Sequence, residues 1–218
     1  MHTATYSLVE NTLIRRYGTS QELAKEMIKL GKVQQLNKGD FIYFQDGRSE
    51  FITFLITGIL GFHQSGNGNS GVYVNIIYPG IILNETQFFM GGNSPLDINT
   101  SCECRVLILS FKKAQNLITS SLEFNQMLNQ SMAKKQRALS RLFHLSSERP
   151  PQKKVYKALE VLSDLNQDDV LPINILSLAS LLNMSRNTVG SALKTLISNG
   201  LIDKAHPGYR IAKKDLTS

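Results

Sequence analysis

The feature that most constrains this chain is a change of hydrophobic period near residue 111. From Val33 to Ser110, short β-branched and aromatic runs alternate with turn signals: Asn37-Lys38-Gly39-Asp40, Gln45-Asp46-Gly47, Thr57-Gly58, Gly66-Asn67-Gly68-Asn69, Pro79-Gly80 and Gly91-Gly92-Asn93-Ser94-Pro95. The runs themselves are Phe41 to Phe44, Phe51 to Ile56, Ile59 to His63, Val72 to Tyr78 and Arg105 to Leu109. Strands at this spacing predict an all-β sandwich or barrel. From Lys112 the spacing becomes helical, with neither Gly nor Pro before Pro150, a stretch sufficient for about ten helical turns. Before the β region, Leu8 to Leu30 has mixed helical spacing and predicts one or two short helices closed by Gly31. With 218 residues, the chain exceeds the usual single-domain size, and the period change divides it into an α+β protein of several parts.

The long helix needs a partner surface. Leu128, Met132, Leu139 and Leu142 fall on a heptad ladder, Lys135 takes the rung between Met132 and Leu139, and Ala138, Phe143 and Leu145 widen the apolar face. A second copy of the chain is the simplest occupant, so this ladder is the predicted dimer interface; packing on the chain's own β unit is the alternative. Pro150-Pro151 stops the helix and marks a hinge. The expected division is residues 1–111 as a β-rich domain, 112–149 as a central dimerisation helix, and 150–218 as a third domain.

Charge is distributed unevenly over these parts. Residues 1–111 carry 8 Lys/Arg against 9 Asp/Glu, residues 112–151 carry 7 against 2, and residues 152–218 carry 9 against 6. The overall +7 therefore belongs to the second half, which predicts a polyanionic partner there. No apolar stretch is long enough to span a membrane, and residues 1–17 lack a secretory-signal pattern, so a cytoplasmic location is expected. Two cysteines, Cys102 and Cys104, exclude a disulfide framework.

The informative segment lies after the hinge. Lys154 to Leu165 reads as an amphipathic helix. Asn174 can cap a helix beginning at Ile175, and Ser185 can cap a second beginning at Arg186. Leu178, Ala179, Leu182, Met184, Val189 and Ala192 form a helix-turn-helix pattern, with Ala179 at the crossing and Met184 plugging the turn. Asn183 occupies the turn position that needs a left-handed backbone, which Asn tolerates better than other non-glycine residues. The hairpin signal from Leu201 to Ala212 makes the module a winged helix-turn-helix.

These residues resemble the cyclic-AMP receptor protein and fumarate-nitrate reductase regulator (CRP/FNR) family of bacterial transcription regulators. Leu178-Ala179-Ser180-Leu181-Leu182-Asn183-Met184-Ser185-Arg186-Asn187-Thr188-Val189-Gly190-Ser191 is similar to its recognition motif, and Lys38-Gly39-Asp40, Gly47, Gly58, Gly71, Gly80 and Asn84-Glu85 are similar to its β-roll landmarks. The resemblance implies a cyclic-nucleotide-binding-type β-roll, a long central dimerisation helix and a C-terminal winged helix. It also implies a homodimer on an inverted repeat in double-stranded DNA, more often an activator that contacts RNA polymerase, and no enzymatic activity or catalytic residue. Arg186 is expected to contact a guanine and Asn187 an adenine or a less specific edge; Ser191 can reach a base or phosphate, while Ser185, Thr188 and Lys194 hold the backbone. Asn187 stands where many members have Glu, and Ser191 where they have Arg, so the operator should differ from the familiar half-sites.

The resemblance also guides expectations about an effector. Glu85 fits the carboxylate that holds a ribose in nucleotide-binding members, but Pro95 and Leu96 stand where an Arg would pair with the cyclic phosphate. Cyclic AMP is therefore disfavoured. An iron-sulfur cluster needs four cysteines, and haem lacks supported axial ligands because neither His2 nor His63 sits in a motif. No cofactor or metal is expected, and the scattered histidines 2, 63, 144 and 206 speak against a cupin-type enzyme. An unidentified small molecule is expected between the roll and the central helix, with Glu85, Thr86, Leu96, Cys104, Leu139 and Ser140 as its candidate contacts; the apolar Leu96 tilts the choice toward an organic acid or aromatic compound. The alternative is an effector-independent regulator whose β-roll serves only for dimerisation and docking.

Overall fold

The computed structural model describes residues 2–64, 72–166 and 168–212. The turn expected at Gly66 to Asn69, the landmark Gly71 and the side chain of His2 lie outside the described residues. Two N-terminal helices, α1 (His2–Thr12) and α2 (Gln21–Leu30), are joined through a π-helical turn at Leu13–Tyr17. Ser20 caps α2 by accepting from the Leu23 amide at 3.2 Å, the usual role of Ser at this position.

The β unit contains β1 (Lys32–Leu36), β2 (Phe41–Tyr43), β3 (Phe51–Thr57), β4 (Leu60–Gln64), β5 (Val72–Ile77), β6 (Ile82–Leu83), then helix α3 (Glu85–Met90), β7 (Asp97–Thr100) and β8 (Cys104–Ser110). Two antiparallel sheets result, ordered β1-β8-β3-β6 and β2-β7-β4-β5. The five expected strands are present within a residue or two; β1, β6, β7 and α3 are additions. The central strands β3 and β8 of the first sheet are buried on both faces. On β8, Leu107 and Leu109 point to the helices, whereas Cys104 and Val106 enter the layer between the sheets with Leu36, Tyr43, Leu55 and Leu60. This two-sided burial explains why β3 reads Phe-Ile-Thr-Phe-Leu-Ile-Thr, largely apolar and without a polar residue at every second position.

The uninterrupted helix expected from Lys112 is instead two helices, α4 (Phe111–Ser120) and α5 (Leu122–His144). Ser121 breaks the run: its backbone is extended, its N–H bonds the Leu117 carbonyl, and its hydroxyl accepts from the Phe124 amide at 3.1 Å. Glu123 reinforces the corner by accepting from the Ser20 amide and, at 2.8 Å, from the Ser20 hydroxyl. Ala114, Leu117, Phe124, Met127 and Leu128 consequently pack in the same core as Leu13, Met27 and Phe54. Leu128, expected at a dimer interface, is fully buried against its own β unit.

After a 3-10 turn at Leu145–Ser147, α6 (Pro151–Asn166) starts with Pro151 at its first position, where no backbone donor is missed. Helices α7 (Ile175–Leu182) and α8 (Arg186–Ser198) follow, then the hairpin of β9 (Ile202–Ala205) and β10 (Gly208–Ile211). Val155, Leu159, Leu162, Leu178, Val189, Leu193 and Ile202 form their separate core. This unit is docked to the rest. Ile76 of β5 packs against its core, Arg16 donates to the Asn166 carbonyl at 3.3 Å and to Asp168 at 2.5 Å, and Arg141 of α5 pairs with Asp164 of α6. Leu142, the last rung of the predicted dimer ladder, also packs into this core.

Gly58 shows how tightly the β unit is closed. Its φ is +96°, and a Cβ there would overlap Cys104 Sγ and meet the Glu103 carbonyl at 2.7 Å. Gly58→Ala should therefore lower unfolding free energy by at least the strain of a left-handed residue, about 1–3 kcal/mol, in urea titration. An unchanged midpoint would contradict this packing.

Candidate nucleic-acid interface and ligand cavity

The helix-turn-helix is built by three polar side chains. Asn174 Oδ1 accepts from the Ser177 amide at 2.8 Å and starts α7. Asn183 ends it with φ 50° and ψ 51°, the left-handed geometry its position required, and the Met184 amide bonds back to Ala179 at 2.9 Å. Ser185 then starts α8 by accepting from the Thr188 amide at 3.0 Å, and its hydroxyl is also 2.7 Å from that of Thr188. Both hydroxyls expected to hold a nucleic-acid backbone are thus engaged in the cap. Met184 packs against the module core, and Val189 and Ala192 are buried.

This capping leaves the opposite face of α8 open. Arg186, Asn187, Ser191 and Lys194 line one groove of about 990 Å³, together with the start of α7 and the hairpin. Among the described residues, Arg186 and Lys194 have no ion-pair partner. Two contributors were not singled out as candidates: Lys204 and His206 of the hairpin lie on the same groove. Their place in a short hairpin, Lys204 on β9 and His206 in the turn, was the available signal. Gly190 is a further one. It sits inside α8 on the groove wall, and a Cβ there would meet nothing within 4 Å.

A second cavity, about 930 Å³, lies between the β unit and α5. Five of the six expected contacts line it: Glu85, Thr86, Leu96, Leu139 and Ser140. Cys104 does not. It is buried between the sheets and donates to the Cys102 carbonyl at 3.3 Å and the Ile59 carbonyl at 3.5 Å. Burial first, and then the adjacent Cys102, push its thiol up to about 12, which makes it a packed thiol with little thiolate character. The cavity gains Met132 and Lys135 from the ladder, so the ladder residues go to three different surroundings. Leu128 is in the β core, Met132 and Leu139 are on the cavity wall, where Leu139 stays 67% exposed and Phe143 76%, and Leu142 is on the winged-helix core.

Glu85 is fully buried at the start of α3. Lys135 of α5 pairs with its Oε1 at 2.5 Å and also donates to the Ile82 carbonyl at 3.0 Å, while the Ser131 hydroxyl donates to the same Oε1 at 2.8 Å. The preceding Asn84, left-handed at φ 72°, fixes the corner by donating to the Phe51 carbonyl at 2.8 Å and to the Ser49 hydroxyl at 2.9 Å. Among the described residues there is no cluster of three or more His, Cys, Asp or Glu that could hold a metal ion, and no helix is long and apolar enough to cross a membrane.

Residues 33–121 match the model of the cyclic nucleotide-binding domain. No curated protein matches the sequence. Among solved structures, FixK2 from Bradyrhizobium japonicum is similar, with a TM-score of 0.69 at 15% identity over 84% of this chain and 93% of that one. A cyclic nucleotide-binding domain containing protein from Listeria monocytogenes EGD-e gives 0.66 at 20% identity over 85% and 90%. A CRP-family transcriptional regulator from Thermus thermophilus gives 0.60 at 15% over 83% and 92%.

The open wall at Gly190 yields a test with two opposite signs. Gly190→Ala should stabilise the fold by about 0.5–1 kcal/mol, because glycine is a poor helix residue, and should weaken DNA binding by obstructing close approach. Calorimetry and a DNA titration read the two effects; tighter binding by the variant would contradict the assignment of this face. Residues 33–121 are thus similar to a cyclic nucleotide-binding domain, and over more than four-fifths of its length the chain shares the fold of the FixK2 structure and of the CRP-family regulator from Thermus thermophilus.

Proposed function

We propose that the protein is a homodimeric, sequence-specific DNA-binding transcription regulator whose DNA affinity is set by a small molecule in the cavity between β-roll and central helix. The observation that carries this reading is the groove of α8, where Arg186, Asn187, Ser191 and Lys194 stand together at the open end of a capped helix-turn-helix. Such a helix enters the major groove with its N-terminal residues nearest the bases. Arg186 reads a guanine, Asn187 and Ser191 reach neighbouring edges, and Lys194 with Lys204 of the wing neutralises phosphates.

The exposed pair Leu139 and Phe143 on α5 supports dimerisation through that face, and a two-fold dimer reads an inverted repeat with half-sites about 10 base pairs apart. Control by the effector follows from placement. The cavity shares α5 with the contact of Arg141 to Asp164, so a ligand that moves α5 shifts a population of winged-helix orientations. Activation through RNA polymerase completes the reading and rests on the family resemblance alone.

Arg186→Ala should cost about 1–3 kcal/mol in operator binding and relax specificity at one base per half-site, as read by titration against a set of single-base operator variants. Equal weakening against every sequence would make Arg186 a phosphate contact and overturn its role.

A further inference from the structure

The cavity beside α5 carries a charge pattern that selects its occupant, and the inference rests on the reading of this cavity as the effector site. Its lining contains two charged side chains, Glu85 and Lys135, and they neutralise each other at 2.5 Å. Every donor goes to one oxygen: Lys135 and Ser131 both bond Oε1. Among the described residues, Glu85 Oε2 has no hydrogen-bond partner although the side chain is fully buried. A buried carboxylate oxygen without a donor is costly. The rest of the wall is mainly apolar, with Leu83, Leu96, Ile98, Leu139 and Phe143.

We propose that the occupant is an uncharged, largely apolar molecule with one hydrogen-bond donor, a hydroxyl or N–H, which bonds Glu85 Oε2. The same geometry disfavours ions of either sign. An anion would sit near the Glu85 carboxylate with no free cation among the described residues of the lining, because Lys135 is already paired. A cation would compete with Lys135 and leave one ammonium uncompensated. A cyclic phosphate belongs to the disfavoured anions, so this domain departs from the ligand class for which its family is named. Oε2 has almost no water-accessible surface in this arrangement, so a donor reaches it only when the surrounding wall moves while the pair of Lys135 with Oε1 is kept, which ties ligand entry to a displacement of that wall.

The chain contains no Trp, so naphthyl fluorescence can report binding to the full-length protein. Naphthylmethanol, its methyl ether and naphthoate share one apolar body and differ in the test group; cyclic AMP serves as a competitor. Naphthylmethanol should bind at least about tenfold more tightly than the ether or naphthoate, the scale of one hydrogen bond to a charged group, and cyclic AMP should not displace it. Glu85→Gln, which frees Lys135, should raise naphthoate affinity above that of the alcohol. Leu96→Lys tests the same charge rule without touching the buried pair and should raise naphthoate affinity alone. Equal binding of alcohol and ether, naphthoate or cyclic AMP binding the wild type as tightly as the alcohol, or no probe binding at all would overturn the proposal. DNA affinity measured on the same preparations separates the two claims, since its loss would count against the regulator reading and a wrong probe ranking against the ligand class alone.

Discussion

The contact on which the rest of the structure depends is the ion pair between Glu85 and Lys135. It joins the corner after β6 to the middle of α5, and one partner is fully buried. A buried carboxylate is tolerated only when paired and hydrogen-bonded, and removing one partner leaves an uncompensated charge that typically costs about 3–5 kcal/mol. The position of α5 along the β unit is therefore fixed by electrostatics as well as by the packing of Phe124, Met127 and Leu128. The cavity owes its shape to that fixation. So does its edge, where Leu139 and Phe143 line the cavity and remain largely exposed.

The other end of the same helix contacts the winged helix. Arg141 pairs with Asp164, Leu142 and Leu145 join the winged-helix core, and Glu148 then bridges to Lys153, at 2.8 Å, and to Lys157 across the Pro150-Pro151 hinge. Those two lysines hold the Glu148 carboxyl below the ordinary carboxylate range. On the opposite side, Ile76 and Arg16 hold the winged helix against the β unit. A change at the cavity thus has a physical route of packed side chains to the orientation of α8. The ion pairs among these contacts are partly exposed, whereas Leu145 is buried.

The parts of this molecule that local chemistry decides were legible in the sequence. Asn174, Asn183 and Ser185 act on amides within their own turns, and all three adopt the conformations their residue types require. The strands with apolar runs were legible for the same reason, whereas β6, two residues long, has too little sequence to carry a period. Helical spacing gave the apolar face of residues 122–144 but could not say what covers it: Leu128 went to the β core and Leu142 to the winged helix, because the helix is flanked by a different surface at each end. The break at Ser121 shows that a run without Gly or Pro can still be divided by a capping serine. Glu85 was legible as a candidate. Its partner Lys135 stood in the ladder as an anomaly, and only the packing shows that a charge was needed there to meet a buried carboxylate.

The most direct measurement is selection of fragments from the organism's genome by the purified protein across a salt series, with and without the small-molecule fraction of a cell extract. Enrichment of an inverted repeat with half-sites about 10 base pairs apart is predicted, with a steep negative dependence on salt from the phosphate contacts and an affinity that changes on adding extract by about tenfold, equivalent to roughly 1.4 kcal/mol of coupling. Tight binding to an inverted repeat that ignores the extract would contradict the effector control. Failure to enrich any inverted repeat would contradict the assignment of Arg186 to Lys194 as the reading face.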